Sequence, residues 1–267
     1  MLGSIGCDTI APQKPDVQRE KSMATLSTSG INPGIAVRTK RGSLLNQYFY
    51  FMMSLLIAVV VAYGFSFTVE KNLFHPAMPR PLLLYVHATV FTAWLAFFIL
   101  QTALVRTRNV CLHRRIGWFG AAMGSVMVLL GVSTAIIMGR FNMFELHQSH
   151  AESFLMVPLF DMVCFGTTFG LAVTWRRKPE YHRRLMLVAT CALTAASFGR
   201  LLPTEYFYSG VDVLIVLGAI RDLIVNGRVH RVYVYALPLF IVGQTVVTYT
   251  VVHQLSYWQK IGHTIIG

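Results

Sequence analysis

A histidine followed by arginine occurs three times at the start of an apolar stretch. The motifs are "LHRRIG" at residues 112–117, "HRRLML" at residues 182–187 and "HRVYVY" at residues 230–235. Two kinds of chemistry suit this combination. Arginines beside the free N–H groups of a helix N-terminus can bind phosphate groups, and a neutral imidazole is a good axial ligand for iron. The motifs therefore indicate either anion binding or metal ligation.

A second set of polar residues lies within the apolar stretch "HATVFTAWLAFFILQ". His87, Trp94 and Gln101 are spaced by seven residues, so they share one face of a helix. This stripe could line the interior of a helical bundle and contact a bound group. It could equally be a packed core stripe that contains a hydrogen-bonded histidine.

The composition places these residues in a membrane protein. Of 267 residues, 55% are hydrophobic and 13% are charged. Soluble domains average about 25% charged residues. We therefore predict an all-α integral membrane protein, and we place it in a bacterial inner membrane.

Seven stretches are long and apolar enough to span a bilayer, which takes roughly 20 residues. We predict a seven-helix transmembrane domain over residues 44–253, a disordered cytoplasmic tail over residues 1–43 and a short external tail over residues 254–267. The sixth span is weak, because only "VLIVLGAI" separates Asp212 from Arg221. The predicted spans are 46–68, 81–104, 114–138, 151–174, 184–203, 206–225 and 232–253.

The basic residues predict the direction of the spans. Eighteen of the 23 lysines and arginines fall on the side of the N-terminus, which the positive-inside rule makes cytoplasmic. The net charge of +12 is then a feature of topology and of attraction to anionic phospholipid, not of nucleic-acid binding. The predicted lipid-anion residues are Arg114, Arg115, Arg183 and Arg184.

On this topology all three histidine–arginine motifs lie on the cytoplasmic side. They begin the third, fifth and seventh helices, which suggests a helical hairpin repeated three times behind one leading helix. Chance convergence of short basic loops is the alternative.

Other residues predict contacts between helices. A buried charge in a membrane needs a partner, and Arg200 is predicted to pair with Asp212, with Asp161 as a deeper candidate.

Glycines four apart, at 120 and 124 and again at 166 and 170, predict close helix packing or a flat wall for a planar cofactor. Gly124 and Gly131 could give room beside such a ring.

The chain resembles two families in these motifs. "LHRRIG" and "HRRLMLVAT" look like those of bacterial multi-pass membrane proteins known only as a domain of unknown function, which implies no activity. The alternation of histidines is also similar to that of transmembrane b-type cytochromes of the ascorbate-reducible kind. That resemblance implies two b-type haems, one held by His87 and His150, with His147 as a rival, and one by His113 and His182. His87 and His150 are the preferred metal ligands, with Trp94 and Gln101 beside the haem.

The sequence is compatible with three functions. The first is haem-dependent electron transfer, with quinone or another redox partner. The second is transport of a proton or small solute by Asp161, Arg200, Asp212 and the Arg221–Asp222 pair. The third is a non-catalytic assembly or interaction role. No lysine lies in a predicted span, so the chain has no site for a retinal Schiff base. No nucleotide-binding or hydrolase motif is present either.

The topology can be tested with reporter fusions after residues 109, 179 and 228. All three should report the cytoplasm, because each position lies in a loop on the basic side. A periplasmic signal at residue 228 would show that the sixth segment does not cross.

Overall fold

The structure, a computed structural model, describes the backbone of residues 33–267 and the side chains of residues 44–267. Most of the predicted tail therefore lies outside the described residues, although residues 33–43 belong to a helix. The described chain forms ten α-helices, a π-helical turn at Glu70–Phe74 and no strand. The helices are α1 Pro33–Ser66, α2 Leu82–Arg106, α3 Val110–Phe144, α4 Ala151–Phe154, α5 Met156–Thr174, α6 Pro179–Ala192, α7 Ala195–Leu201, α8 Phe207–Asn226, α9 Arg231–Val252 and α10 Ser256–Ile266.

Within residues 33–267, five helical segments are long and apolar enough to cross a membrane, so the protein is an integral membrane protein. α6 and α7 would form a sixth span, but their axes are bent by 41°. α8 is long enough to span a membrane, but its charged residues make it more polar than these five segments. The five segments are Leu44–Ser66, Leu82–Arg106, Val110–Phe144, Ala151–Thr174 and Arg231–Val252.

The bend between α6 and α7 corrects the prediction of a continuous helix over residues 184–203. Hydroxyl groups near the break bond to the backbone of the preceding turn: Thr190 donates to the Met186 carbonyl at 2.9 Å, and Thr194 to the Cys191 carbonyl at 2.6 Å. Such bonds bend helices. Just beyond the break, Ser197 donates to the Val60 carbonyl of α1 at 2.7 Å, which holds α7 against α1.

Large side chains fill the glycine notches of α3. A Cβ on Gly124 would lie 2.6 Å from Phe169 Cε2, and one on Gly131 would lie 2.9 Å from Met162 Cγ. Phe169 also packs edge-on against Trp94, which is 1% exposed. These glycines therefore serve close packing, and their notches offer no flat wall for a planar group.

The C-terminal segment, for which a short external tail is predicted, contains a helix. Trp258 of α10 donates its indole N–H to the Glu152 carbonyl at 3.2 Å, and Ile266 is fully buried against Gly139. α10 thus closes the end of the bundle where α3 ends and α4 begins.

We expect Gly124→Ala to lower the free energy of unfolding by about 1–3 kcal/mol, because an overpacked site must displace Phe169. Gly117→Ala is the matched control on the same helix, since an added Cβ there would meet nothing within 4 Å. Thermal unfolding in detergent measures both. Equal stability of the two variants would contradict the packing.

Candidate functional site

The structure brings two predicted haem ligands together. His113, in the first turn of α3, and His182, in the first turn of α6, have ring centroids 6.3 Å apart and ring planes at 75°. His182 Nδ1–H donates to the Ala172 carbonyl of α5 at 2.8 Å, which leaves Nε2 outside this bond. The His113 ring interacts with the Gln101 carbonyl of α2. Four helices therefore position this histidine pair.

Several buried polar atoms, at the pair and further along α2, have no hydrogen-bond partner among the described residues. They are His113 Nδ1 and both side-chain amide atoms of Gln101, followed along α2 by Trp94 Nε1 and His87 Nδ1. Buried polar groups in native proteins are nearly always satisfied by protein, water or a ligand. In the predicted stripe, Trp94 and Gln101 are buried and His87 is partly buried, and each has a buried polar atom without a partner among the described residues.

The outer pair of histidines has less support. His87 stacks on Phe91, with ring centroids 4.0 Å apart. His150 is half-exposed at the start of α4, with Gln259 Nε2 3.4 Å and Glu152 Oε1 3.9 Å from its Nδ1. The described contacts do not join the two rings. Ligation by His87 and His150 stays a prediction.

A buried ion cluster ties α6 to α8 beside the histidine pair. Arg184 Nε donates to Asp222 Oδ2 at 2.6 Å, and Arg184 Nη2 to Asp222 Oδ1 at 2.8 Å. Arg221 Nη1 donates to the same carboxylate at 2.7 Å, and its Nη2 bonds Asn46 of α1. Arg184 also donates to Glu180 Oε2 at 2.6 Å. The Arg184 guanidinium thus makes a bidentate contact with one carboxylate, a geometry that arginine can adopt and lysine cannot.

This cluster corrects the prediction that Arg184 binds lipid anions. Arg184 is 1% exposed, and two carboxylates occupy its guanidinium. Arg183 is partly buried and donates to Glu180 at 2.6 Å. Arg114 and Arg115 are exposed at the start of α3, and their lipid binding stays a prediction.

The predicted Arg200–Asp212 pair is wrong in this structure. Arg200 Nε donates to Thr68 Oγ1 at 2.9 Å, and its guanidinium lies 4.1 Å from the centre of the Phe65 ring. A hydroxyl and an aromatic face thus satisfy the cation without a carboxylate. Asp212 has Gln244 of α9 as its neighbour, and Asp161 accepts a hydrogen bond from Tyr208 at 3.0 Å.

The third histidine–arginine motif has a structural role. His230 is the N-cap of α9, and its Nδ1 accepts a hydrogen bond from the Val232 N–H at 3.2 Å. Burial, and then the nearby Arg184 guanidinium, lower the pKa of His230 below its usual value. The neutral ring that results is the form able to accept this bond.

Within the described residues, no group of three or more histidine, cysteine, aspartate or glutamate side chains could hold a metal ion. A site with two axial histidines needs no such group, because the porphyrin supplies the other ligands.

Comparison of the chain with protein-family models, with curated proteins and with solved structures gives no match.

The ion cluster makes a prediction about stability. We expect Arg184→Ala to lower the free energy of unfolding by about 3 kcal/mol, because it removes both hydrogen bonds of the bidentate contact to the buried Asp222, which keeps Arg221 as its remaining cation. The double variant with Asp222→Ala should lose less than the sum of the single losses. In the matched cycle, the losses in unfolding free energy caused by Arg200→Ala and by Asp212→Ala should add to within about 0.5 kcal/mol. Coupling between Arg200 and Asp212, or none between Arg184 and Asp222, would contradict these contacts.

Proposed function

We propose that the protein is a membrane electron carrier that binds b-type haem, with His113 and His182 as its axial ligands. The observation that carries this proposal is the paired geometry of the two rings. A metal–nitrogen bond is about 2 Å long, so two imidazoles on opposite sides of one ion have centroids about 6 Å apart. The separation of 6.3 Å between His113 and His182 fits this value.

The surroundings of the rings support the same proposal. Ligating histidines almost always donate their second ring nitrogen to a carbonyl or carboxylate, which fixes the orientation of the ring. His182 donates in this way to Ala172, and the carbonyl of Gln101 lies against the ring of His113. The unpartnered His113 Nδ1 is then the nitrogen available for ligation.

Gly117 supplies space beside His113. It lies one turn further along the same face of α3, and an added Cβ would meet nothing within 4 Å. The notches at Gly124 and Gly131, near the outer end of the stripe, are filled by Phe169 and Met162. This contrast favours the inner histidine pair over the outer one.

The residues of this chain would hold the iron, fix the two rings and keep water from the metal. When bound, haem supplies reversible one-electron chemistry. In the proposed topology of seven spans, α8 and the bent pair α6–α7 each cross the bacterial inner membrane, and the N-terminus is cytoplasmic. The histidine pair then lies at the cytoplasmic end, where a soluble donor or a quinone in the bilayer could exchange electrons with it.

A second candidate function is transport of a proton or small solute. Asp161 of α5 is 9% exposed and accepts its hydrogen bond from Tyr208 of α8. Asp212 follows Tyr208 by one turn on the same helix, with Gln244 beside it. Ionisable residues inside a bundle often mark a transport pathway. This candidate predicts that Asp161→Asn abolishes a pH-gradient-driven flux in proteoliposomes.

The haem proposal predicts a Soret absorption band in protein purified from haem-replete cells. His113→Ala and His182→Ala should each abolish the band, because each removes an axial ligand. His253→Ala is the control, since its ring contacts Tyr249 at the far end of α9. Visible spectra of the three variants and their far-ultraviolet circular dichroism measure ligation and folding separately.

A band that survives in His113→Ala and His182→Ala but is lost in His87→Ala and His150→Ala would move the haem to the outer pair. A colourless wild-type protein would overturn the haem proposal and leave transport or assembly.

A further inference from the structure

We propose that Tyr50, Arg183, Arg221 and Tyr233 form a binding site for a singly charged phosphate-type anion. These residues come from α1, α6, α8 and α9 and surround the Arg184–Asp222 pair. The site does not depend on the proposed haem, since none of its residues touches His113 or His182 in the described contacts.

Four buried polar atoms in this group have no partner among the described residues. They are Tyr50 Oη, Arg183 Nε, Arg221 Nε and Tyr233 Oη. Tyr233 is 1% exposed and Arg221 is 2% exposed, so neither side chain is free to reach bulk water. All four atoms carry a hydrogen to donate, and two of them belong to cations. Buried donors that lie near one another and have no acceptor are suited to an anion.

Several contacts bring the four residues together. The guanidinium carbons of Arg183 and Arg221 lie 5.5 Å and 5.4 Å from the centre of the Tyr50 ring. Tyr50 and Tyr233 are close enough to interact electrostatically with each other, and each also interacts electrostatically with Asp222. Gly218 of α8 positions Tyr233: a Cβ there would lie 2.7 Å from Tyr233 Cζ, so only glycine admits the phenol.

The charges of the cluster favour a monoanion. Arg183, Arg184 and Arg221 supply three positive charges, whereas Glu180 and Asp222 supply two negative charges. One positive charge is left over beside the buried Arg184 and Arg221, where an uncompensated charge is costly. A bound monoanion would neutralise it and accept hydrogen bonds from the four free donors.

The position of the site favours a phosphate group. Asn46 is exposed and the Glu180 side chain is 58% exposed, so the cluster opens to the surface at the end of α6 that begins the span. In the predicted topology this surface meets cytoplasmic lipid headgroups and solutes. A phospholipid phosphodiester and monobasic phosphate share the charge and oxygen geometry that the donors require.

The test measures thermal unfolding of the full chain in phosphate-free detergent. One arm adds inorganic phosphate, with chloride at equal ionic strength as its control. The other adds mixed micelles with phosphatidylglycerol, with diacylglycerol as its control because it lacks the phosphodiester. Saturable stabilisation in the first arm identifies a solute site, and stabilisation in the second alone identifies a lipid site. Either result supports the proposal.

Three conservative variants decide whether the binding uses this cluster. Tyr50→Phe and Tyr233→Phe should each weaken binding by about tenfold or more, because each removes a hydrogen bond to a charged group. Tyr235→Phe is the matched control, since Tyr235 lies on the same helix and is 67% exposed. It should bind as the wild type does.

Two results would overturn the site. The first is no specific stabilisation of the wild type by either phosphate source. The second is equal stabilisation of wild type, Tyr50→Phe and Tyr233→Phe. In a site without an anion, Tyr233→Phe should raise the unfolding temperature in every buffer, because it removes an unsatisfied buried hydroxyl.

Discussion

The bidentate contact between Arg184 and Asp222 is the constraint on which this end of the bundle depends. Both side chains are buried, so each needs the other, and Asp222 lies 38 positions after Arg184, so the chain must return α8 to α6 in one register. Arg221 and Asn46 extend the contact to α1. The cluster thereby explains how α8 can carry Arg221 and Asp222 and still pack within the bundle: both side chains are buried, and Asp222 pairs with Arg221 and Arg184.

Three successive residues in the first turn of α6 contact three different neighbouring helices. Residues on a helix are about 100° apart, so His182, Arg183 and Arg184 point in different directions. His182 reaches the Ala172 carbonyl of α5, Arg183 lies over Tyr50 of α1, and Arg184 reaches Asp222 of α8. The motif that looks like one basic patch in the sequence therefore serves separate contacts.

Hydropathy predicts most of this fold, because the apolar length that a bilayer requires is a local property of the sequence. It fails where hydrogen bonds decide the geometry, as at Thr190 and Thr194, which bend the predicted fifth span. It also fails for distant partners. Arg200 bonds Thr68, 132 residues away, and no local pattern distinguishes that hydroxyl from the carboxylate of Asp212. The His113–His182 contact was predictable because both histidines begin parallel helices after similar loops.

Hydrogen-bond satisfaction separates structural polar groups from candidate binding groups. Arg184, Asp222 and Arg200 have partners within the protein, so packing accounts for them. Among the described residues, most of the buried polar atoms without a partner lie in two places, along α2 with His113 and around Tyr50 with Tyr233. A bilayer offers no solvent to satisfy such atoms, and leaving them unpaired costs free energy. A bound group or an ordered water that pairs with these atoms would offset that cost, which is the physical basis of both proposed sites.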